Sequence, residues 1–206
     1  MYLFGTPLSA AVVAVVAFLF SGSSPDDVAR WQQSLSDAKD ISAEAADAAA
    51  SGKTEEAVRL YQDAMIFGRK AALALHEHGS VVDDAVDDSD CSSSDNNDEE
   101  ESPLDWLIAL YRDSASTRIQ LDDVEGARKD AWGACLYSQN TDISSLECLA
   151  KVCEAGGDDM GRLMALKNII QLDDKFTKSN DDEQLDSQRR SEIETSIREL
   201  EAKLKA

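Results

Sequence analysis

Proline is nearly missing from this chain. With three prolines and ten glycines in 206 residues, against abundant Ala, Leu, Asp and Glu, little breaks a helical backbone and the composition points to an all-α protein. Aromatics are scarce as well, at 6%, so much of the core must be Ala, Leu and Ile at close helix contacts. Bases are outnumbered: twenty Lys and Arg against forty-one acids leave a net charge of -21. No basic cluster is present to meet phosphates, which excludes a nucleic-acid partner. Four cysteines (Cys91, Cys135, Cys148, Cys153) have neither the density of a disulfide scaffold nor a zinc spacing, and they read as buried free thiols. In an oxidising lumen, a bridge from Cys135 to a neighbouring helix becomes arguable. There is no Gly-rich loop after a strand and no nucleophile motif, so no catalytic, cofactor or metal site is expected, and the protein is read as a non-enzyme. A glycosylation sequon is also missing, which fits a cytosol-facing domain.

What is present divides the chain into five parts. Residues 1–23 are almost wholly apolar up to Phe20, about nineteen residues whose helical length of about 28 Å just spans a hydrocarbon core. They are expected to form a single-pass membrane anchor. A signal peptide cut near Ser21-Gly22-Ser23 is the other reading, and it leads to a lumenal or secreted protein. Residues 24–80 form a first helical hairpin. Ser24-Pro25-Asp26-Asp27 supplies an N-cap, a proline at N1 and an acid at N3. Val28, Trp31, Leu35, Ala38, Ile41, Ala45 and Ala48 then recur at helical steps, and Ser51-Gly52 ends the run. A second helix follows from about Thr54 to Leu75, with Ala57, Tyr61, Ala64, Gly68, Ala71 and Leu75 on one face.

Residues 81–102 hold ten acids among Ser and Asn with no base, a composition that repels itself and predicts a disordered loop. Residues 103–175 read as two further hairpins, with helices at about Pro103–Gln120, Val124–Tyr137, Ile143–Ala155 and Met160–Leu172. Their buried stripes are Leu107, Leu110, Tyr111, Ala115 and Ile119, then Val124, Ala127, Ala131, Ala134 and Cys135. Ile143, Leu146, Leu149, Ala150 and Cys153 follow, and last Met160, Leu163, Leu166 and Ile170. Residues 176–206 carry a final helix, about Glu183–Lys205, whose Ile193, Ile197, Leu200 and Leu204 make a short coiled-coil-like seam. A seam this brief caps an exposed end rather than building a dimer, so the protein is expected to be a monomer.

Three motifs imitate ligand sites. Ser51-Gly52-Lys53-Thr54 ends like a phosphate loop, but Asp47 stands where its first glycine belongs and no strand precedes it. The run from Asp88 to Glu99 echoes a calcium loop, yet Ser93 replaces the turn glycine, leaving a solvated spacer with weak divalent binding as the alternative. His76 and His78 diverge as helix neighbours two apart.

The second helices carry a family resemblance. Gly52-Lys53-Thr54-Glu55-Glu56-Ala57 with Tyr61 and Ala64, and Asp122-Asp123-Val124-Glu125-Gly126-Ala127 with Ala134, resemble tetratricopeptide (TPR) repeats. Gly157-Asp158-Asp159-Met160-Gly161-Arg162-Leu163 is a weaker third copy. The resemblance covers about Val28 to Leu172, with the acidic segment inserted. It lacks the family's usual repeat-end proline. The long first hairpin also resembles microtubule-interacting-and-trafficking helices, which bind peptide helices in grooves.

The resemblance implies stacked helical hairpins, a TPR-like α-solenoid, that hold a protein or peptide partner in a helical groove. Approximate groove positions are Arg112, Ser116, Glu147 and Lys151, a charge pattern that departs from the carboxylate clamp of chaperone-binding members. The resulting expectation is a membrane-tethered adaptor or scaffold. The plan of an N-terminal anchor followed by such helices is similar to that of mitochondrial outer-membrane import receptors, by architecture alone. The alternative is a secreted or lumenal acidic helical protein with weak divalent-cation binding.

Overall fold

In a computed structural model of the chain, residues 24–83, 102–179 and 185–206 are described. They form seven helices, with no strand among the described residues: α1 Pro25–Ala50, α2 Thr54–Asp83, α3 Pro103–Gln120, α4 Val124–Tyr137, α5 Ile143–Ala155, α6 Asp159–Ser179 and α7 Ser187–Lys205. The apolar N-terminal segment and nearly all of the acidic segment lie outside the described residues. Among the described residues, no helix is long and apolar enough to cross a membrane.

Local chemistry sets the helix ends. Ser24 caps α1 through a capping box with Asp27, and Ser102 caps α3 by accepting from the Leu104 N–H, each followed by proline at the first helical position. The three hairpin turns share one geometry. Gly52, Asp122 and Gly157 sit in the left-handed region at φ 75°, 60° and 67°. In each case the residue after it donates its N–H back to the carbonyl five residues earlier, as Lys53 does to Ala48, Asp123 to Arg118 and Asp158 to Cys153, at 2.8–3.0 Å. This helix stop satisfies the last carbonyls, and in the second and third turns its final residue, Asp123 or Asp158, already caps the next helix. The loop from α4 to α5 uses the same stop, with Gln139 at φ 53°.

The capping carboxylates also tie helices together. Asp123 accepts from the Gly126 N–H at 2.9 Å and pairs with Arg118 of α3 at 2.5 Å. Asp142 caps α5 and pairs with Arg112 of α3, while Asp158 accepts from the Gly161 N–H and pairs with Arg128 of α4, both ion pairs at 3.0 Å. These last two pairs join one hairpin to the next. The Gly126 N–H first, and then Arg118, hold the Asp123 carboxyl below its ordinary value of 3.8. A depressed pKa contributes stability above the unfolded value and loses it as pH falls through the folded one.

The variant Asp123→Asn keeps a capping acceptor but not the charge. It is expected to be less stable than the wild type at pH 7. The deficit should be at most about 1 kcal/mol, because the carboxylate is 42% exposed, and it should shrink as pH drops below the ordinary carboxylate range. Urea unfolding of both proteins through an acid titration measures this, and a deficit independent of pH would assign the effect to the cap alone.

Each helix packs on its neighbour in sequence, and the first helices of successive hairpins also touch, α1 with α3 and α3 with α5. No comparable packing joins the second helices α2, α4 and α6 among the described residues. Small residues make the close contacts: Ala38, Ala45 and Ala48 of α1 and Ala57, Ala64 and Ala71 of α2 are all buried. Two apolar clusters result, and α3 belongs to both. Trp106, Leu107 and Tyr111 enter the first cluster and Ala115 the second. The second cluster ends under α7, whose Ile193 and Leu200 are buried on it. Ion pairs Lys167–Glu201 at 2.6 Å and Lys203–Asp159 at 2.5 Å hold α7 along α6, and Arg189 pairs with Glu147 of α5.

The structure corrects several expected boundaries. α2 runs past Leu75 to Asp83, so the acidic loop does not begin at residue 81; the lone Gly79 is tolerated where no proline intervenes. α6 runs past Leu172 to Ser179 because Asp173 points inward, accepting from the Leu185 N–H at 2.8 Å and pairing with Arg190. The last helix therefore starts at Ser187 rather than Glu183, capped by Asp186. Met160, expected in a buried stripe, is 54% exposed. The buried line of α6 runs instead through Leu163, Leu166, Ile169 and Leu172, and it leaves Met160 and Met164 on the outer face.

Candidate functional site

Because α2 and α4 both lean on α3 without closing on each other, a groove of about 880 Å³ opens between them. Its α2 wall includes Met65, Ile66, Arg69 and Lys70, and its α4 wall includes Lys129, Trp132, Leu136 and Tyr137. Tyr111 and Arg118 of α3 contribute to the floor, where Gly133 is needed for clearance: a Cβ there would stand 2.7 Å from the Tyr111 ring. The Tyr111 and Tyr137 rings lie 5.5 Å apart in a tilted pair. The neighbouring Tyr111 first, and then Tyr137, hold the Arg69 guanidinium above its ordinary value.

Large apolar side chains are exposed here. Ile66 is 73%, Trp132 56% and Leu136 70% accessible, and all three line the groove. They lie off the small-residue stripes that pack each helix, Ala57-Ala64-Ala71 on α2 and Ala127-Ala131-Ala134 on α4, and so they face away from the core. Exposed apolar groups gathered in a concavity mark an interaction surface more often than isolated ones do.

The charge of the groove is opposite to that of the chain. Its lining holds four cations, Arg69, Lys70, Arg118 and Lys129, and one carboxylate, Asp130. Asp130 is already committed: it accepts from Arg118 Nε and from the buried Ser114 hydroxyl, both at 2.7 Å. Arg69 and Lys70 form no ion pair among the described residues, and Lys129 has only a loose exposed pair with Glu125 at 3.5 Å.

No protein-family model matches this chain, and no curated protein matches it.

None of the four residues expected from the resemblance lines this groove. Arg112 and Ser116 lie on α3, and Glu147 and Lys151 on α5, all on first helices. Arg112 is spent on the Asp142 cap, Ser116 donates to the Arg112 carbonyl at 2.9 Å, and Glu147 pairs with Arg189; Lys151 is exposed.

One imitation of a ligand site is a turn, whereas the run from Asp88 to Glu99 lies outside the described residues. Gly52-Lys53-Thr54 is the first hairpin turn, and no group of three metal-ligating side chains occurs among the described residues. Cys135, Cys148 and Cys153 are free and buried. Burial pushes the Cys135 thiol up to about 12 and raises the other two, so all three are protonated and poor nucleophiles at neutral pH.

Proposed function

We propose that this protein is a non-catalytic adaptor of TPR-like stacked hairpins that holds a segment of a partner protein in the groove between α2 and α4. The observation that carries the reading is the exposure of Ile66, Trp132 and Leu136 within one concavity. The solenoid arrangement is supported by one turn geometry used three times, by the contacts among first helices, and by α7 over the last hairpin. Recognition through the second helices is favoured over the first, because Arg112 and Glu147 are engaged within the chain. The apolar segment before Ser24, by its length and composition, is proposed to tether the adaptor to a membrane.

Proximity labelling in cells with the tag at the C-terminus tests this. The double variant Ile66→Ser, Leu136→Ser is expected to express and fold normally, since both side chains are exposed, and to lose a defined set of neighbours seen with the wild type. Identical neighbour sets for the two would remove the groove from the function.

A further inference from the structure

We infer that the occupant of the α2–α4 groove is an acidic amphipathic helix of another protein, its apolar side chains set against Ile66, Trp132 and Leu136 and its carboxylates against Arg69, Lys70 and Lys129. This rests on the groove being the binding surface, and it adds the chemistry of what binds.

Shape comes first. The walls run from Gln62 to Lys70 on α2 and from Lys129 to Tyr137 on α4, each about 12 Å at the rise of an α-helix. That length meets two turns of a docked helix, enough for anchors at i, i+3 or i+4, and i+7. Both walls are helical, so their backbone groups are already bonded and offer no ladder to an extended strand. A helix satisfies its own backbone and needs only side-chain contacts.

Charge then selects among helices. In a protein of net charge -21, a general approach by anionic partners is repelled, and a short-range cationic rim around an apolar floor acts only on a ligand that fits between the walls. Arg118 is excluded from this count because Asp123 and Asp130 hold it. The three remaining cations flank the apolar residues on both walls. A basic helix would set like charge against them and a neutral one would offer Arg69 and Lys70 no counter-charge, which makes the charge sign a specificity device.

Other occupants fit less well. The chain's own residues 84–101 are acidic but contain only Ala85 and Val86 as aliphatic residues, too few to fill an apolar floor. The N-terminal segment has the reverse fault: it is apolar, with no acid before Asp26. An anionic bilayer is opposed by the overall charge of -21.

The test uses the full chain and a displayed library of random 16-residue peptides. Enriched peptides are expected to carry apolar residues at helical spacing with Asp or Glu beside them, and to be lost on Ile66→Ser, Leu136→Ser. Trp132→Ala should weaken a representative peptide about 30-fold, and Lys70→Glu with Lys129→Glu about 10-fold or more, with weaker binding as salt rises. Groove-dependent peptides without acid enrichment, or unaffected by the charge reversal, would overturn the acidic assignment while leaving the groove as the binding surface. No groove-dependent peptide at all would sink both, as would Trp132-dependent binding of phosphatidylserine vesicles alone. A dimer in sedimentation that the Ile66 and Leu136 substitutions abolish would give the groove to a second copy of the chain and overturn the inference.

Discussion

Gly68→Ala is expected to destabilise the protein by about 1–3 kcal/mol, although alanine is the better helix former. At an exposed helical position the same change would stabilise by about 1 kcal/mol. Gly68 lies where α1, α2 and α3 meet. A Cβ there would stand 2.7 Å from the Ala38 Cβ and 2.8 Å from Trp106 Cζ3, and closer still to Trp106 Cη2. Ala38 is fully buried and has no side-chain torsion to turn, and Trp106 is 7% exposed. The added methyl must push α1 from α2 or drive the indole off its rotamer, and both loosen the cluster that joins the first hairpin to α3. Urea unfolding of wild type and variant measures this, and a variant as stable as the wild type would refute the close contact. Gly52→Ala is the control. Its φ of 75° makes it strained, but nothing lies within 4 Å, so its cost is backbone strain of about 1 kcal/mol without any loss of packing.

Asp130→Ala is expected to cost about 1–3 kcal/mol. Asp130 sits on α4 and receives both the fully buried Ser114 hydroxyl and Arg118 Nε from α3. Arg118 itself is only 12% exposed, and burial acts to lower its pKa; the hydrogen bonds and charges of Asp123 and Asp130 outweigh burial and hold it above its ordinary value. With Asp130 gone, the Ser114 hydroxyl loses its acceptor and Arg118 keeps Asp123 alone, where water cannot readily replace the lost carboxylate. Asp130→Asn keeps a carbonyl acceptor and should lose much less. The pair Arg118→Met, Asp130→Leu removes both buried charges and should recover the part of the loss owed to Arg118, while the Ser114 hydroxyl stays without its acceptor. A double-mutant cycle in urea checks the order. If the double variant were as unstable as the sum of the single ones, the two side chains would not be coupled.

These two sites show what could be read in advance. Gly68 belongs to the periodic small-residue stripe of α2, so its place at a helix crossing was legible from spacing alone. The partnership of Ser114, Arg118 and Asp130 was not, because three polar residues on two helices carry no period. The helices Pro103–Gln120, Val124–Tyr137 and Ile143–Ala155 fall where capping and turn residues put them, since caps, prolines and left-handed turns act within a few residues of themselves. α6 overran its expected end because Asp173, polar on paper, is buried against residues of α7 and the segment before it. The candidate site shows the same split. Arg112 and Glu147, named as approximate groove positions, engage Asp142 and Arg189 within the chain. The signal for the groove lay in Ile66, Trp132 and Leu136, large apolar residues out of phase with the alanines of their own helices.

The sequence by itself determined that this chain is helical, where most helices start and stop, and which stripes turn inward, because those features follow from local hydrogen bonding and from a period of 3.6 residues. Only the tertiary structure decided that α2 and α4 stand apart over α3, and so which outward-facing side chains share one groove. The spread of two helices depends on the sizes of residues far apart in the chain that meet at Gly68, Trp106, Tyr111 and Gly133, and no local rule relates those positions to one another.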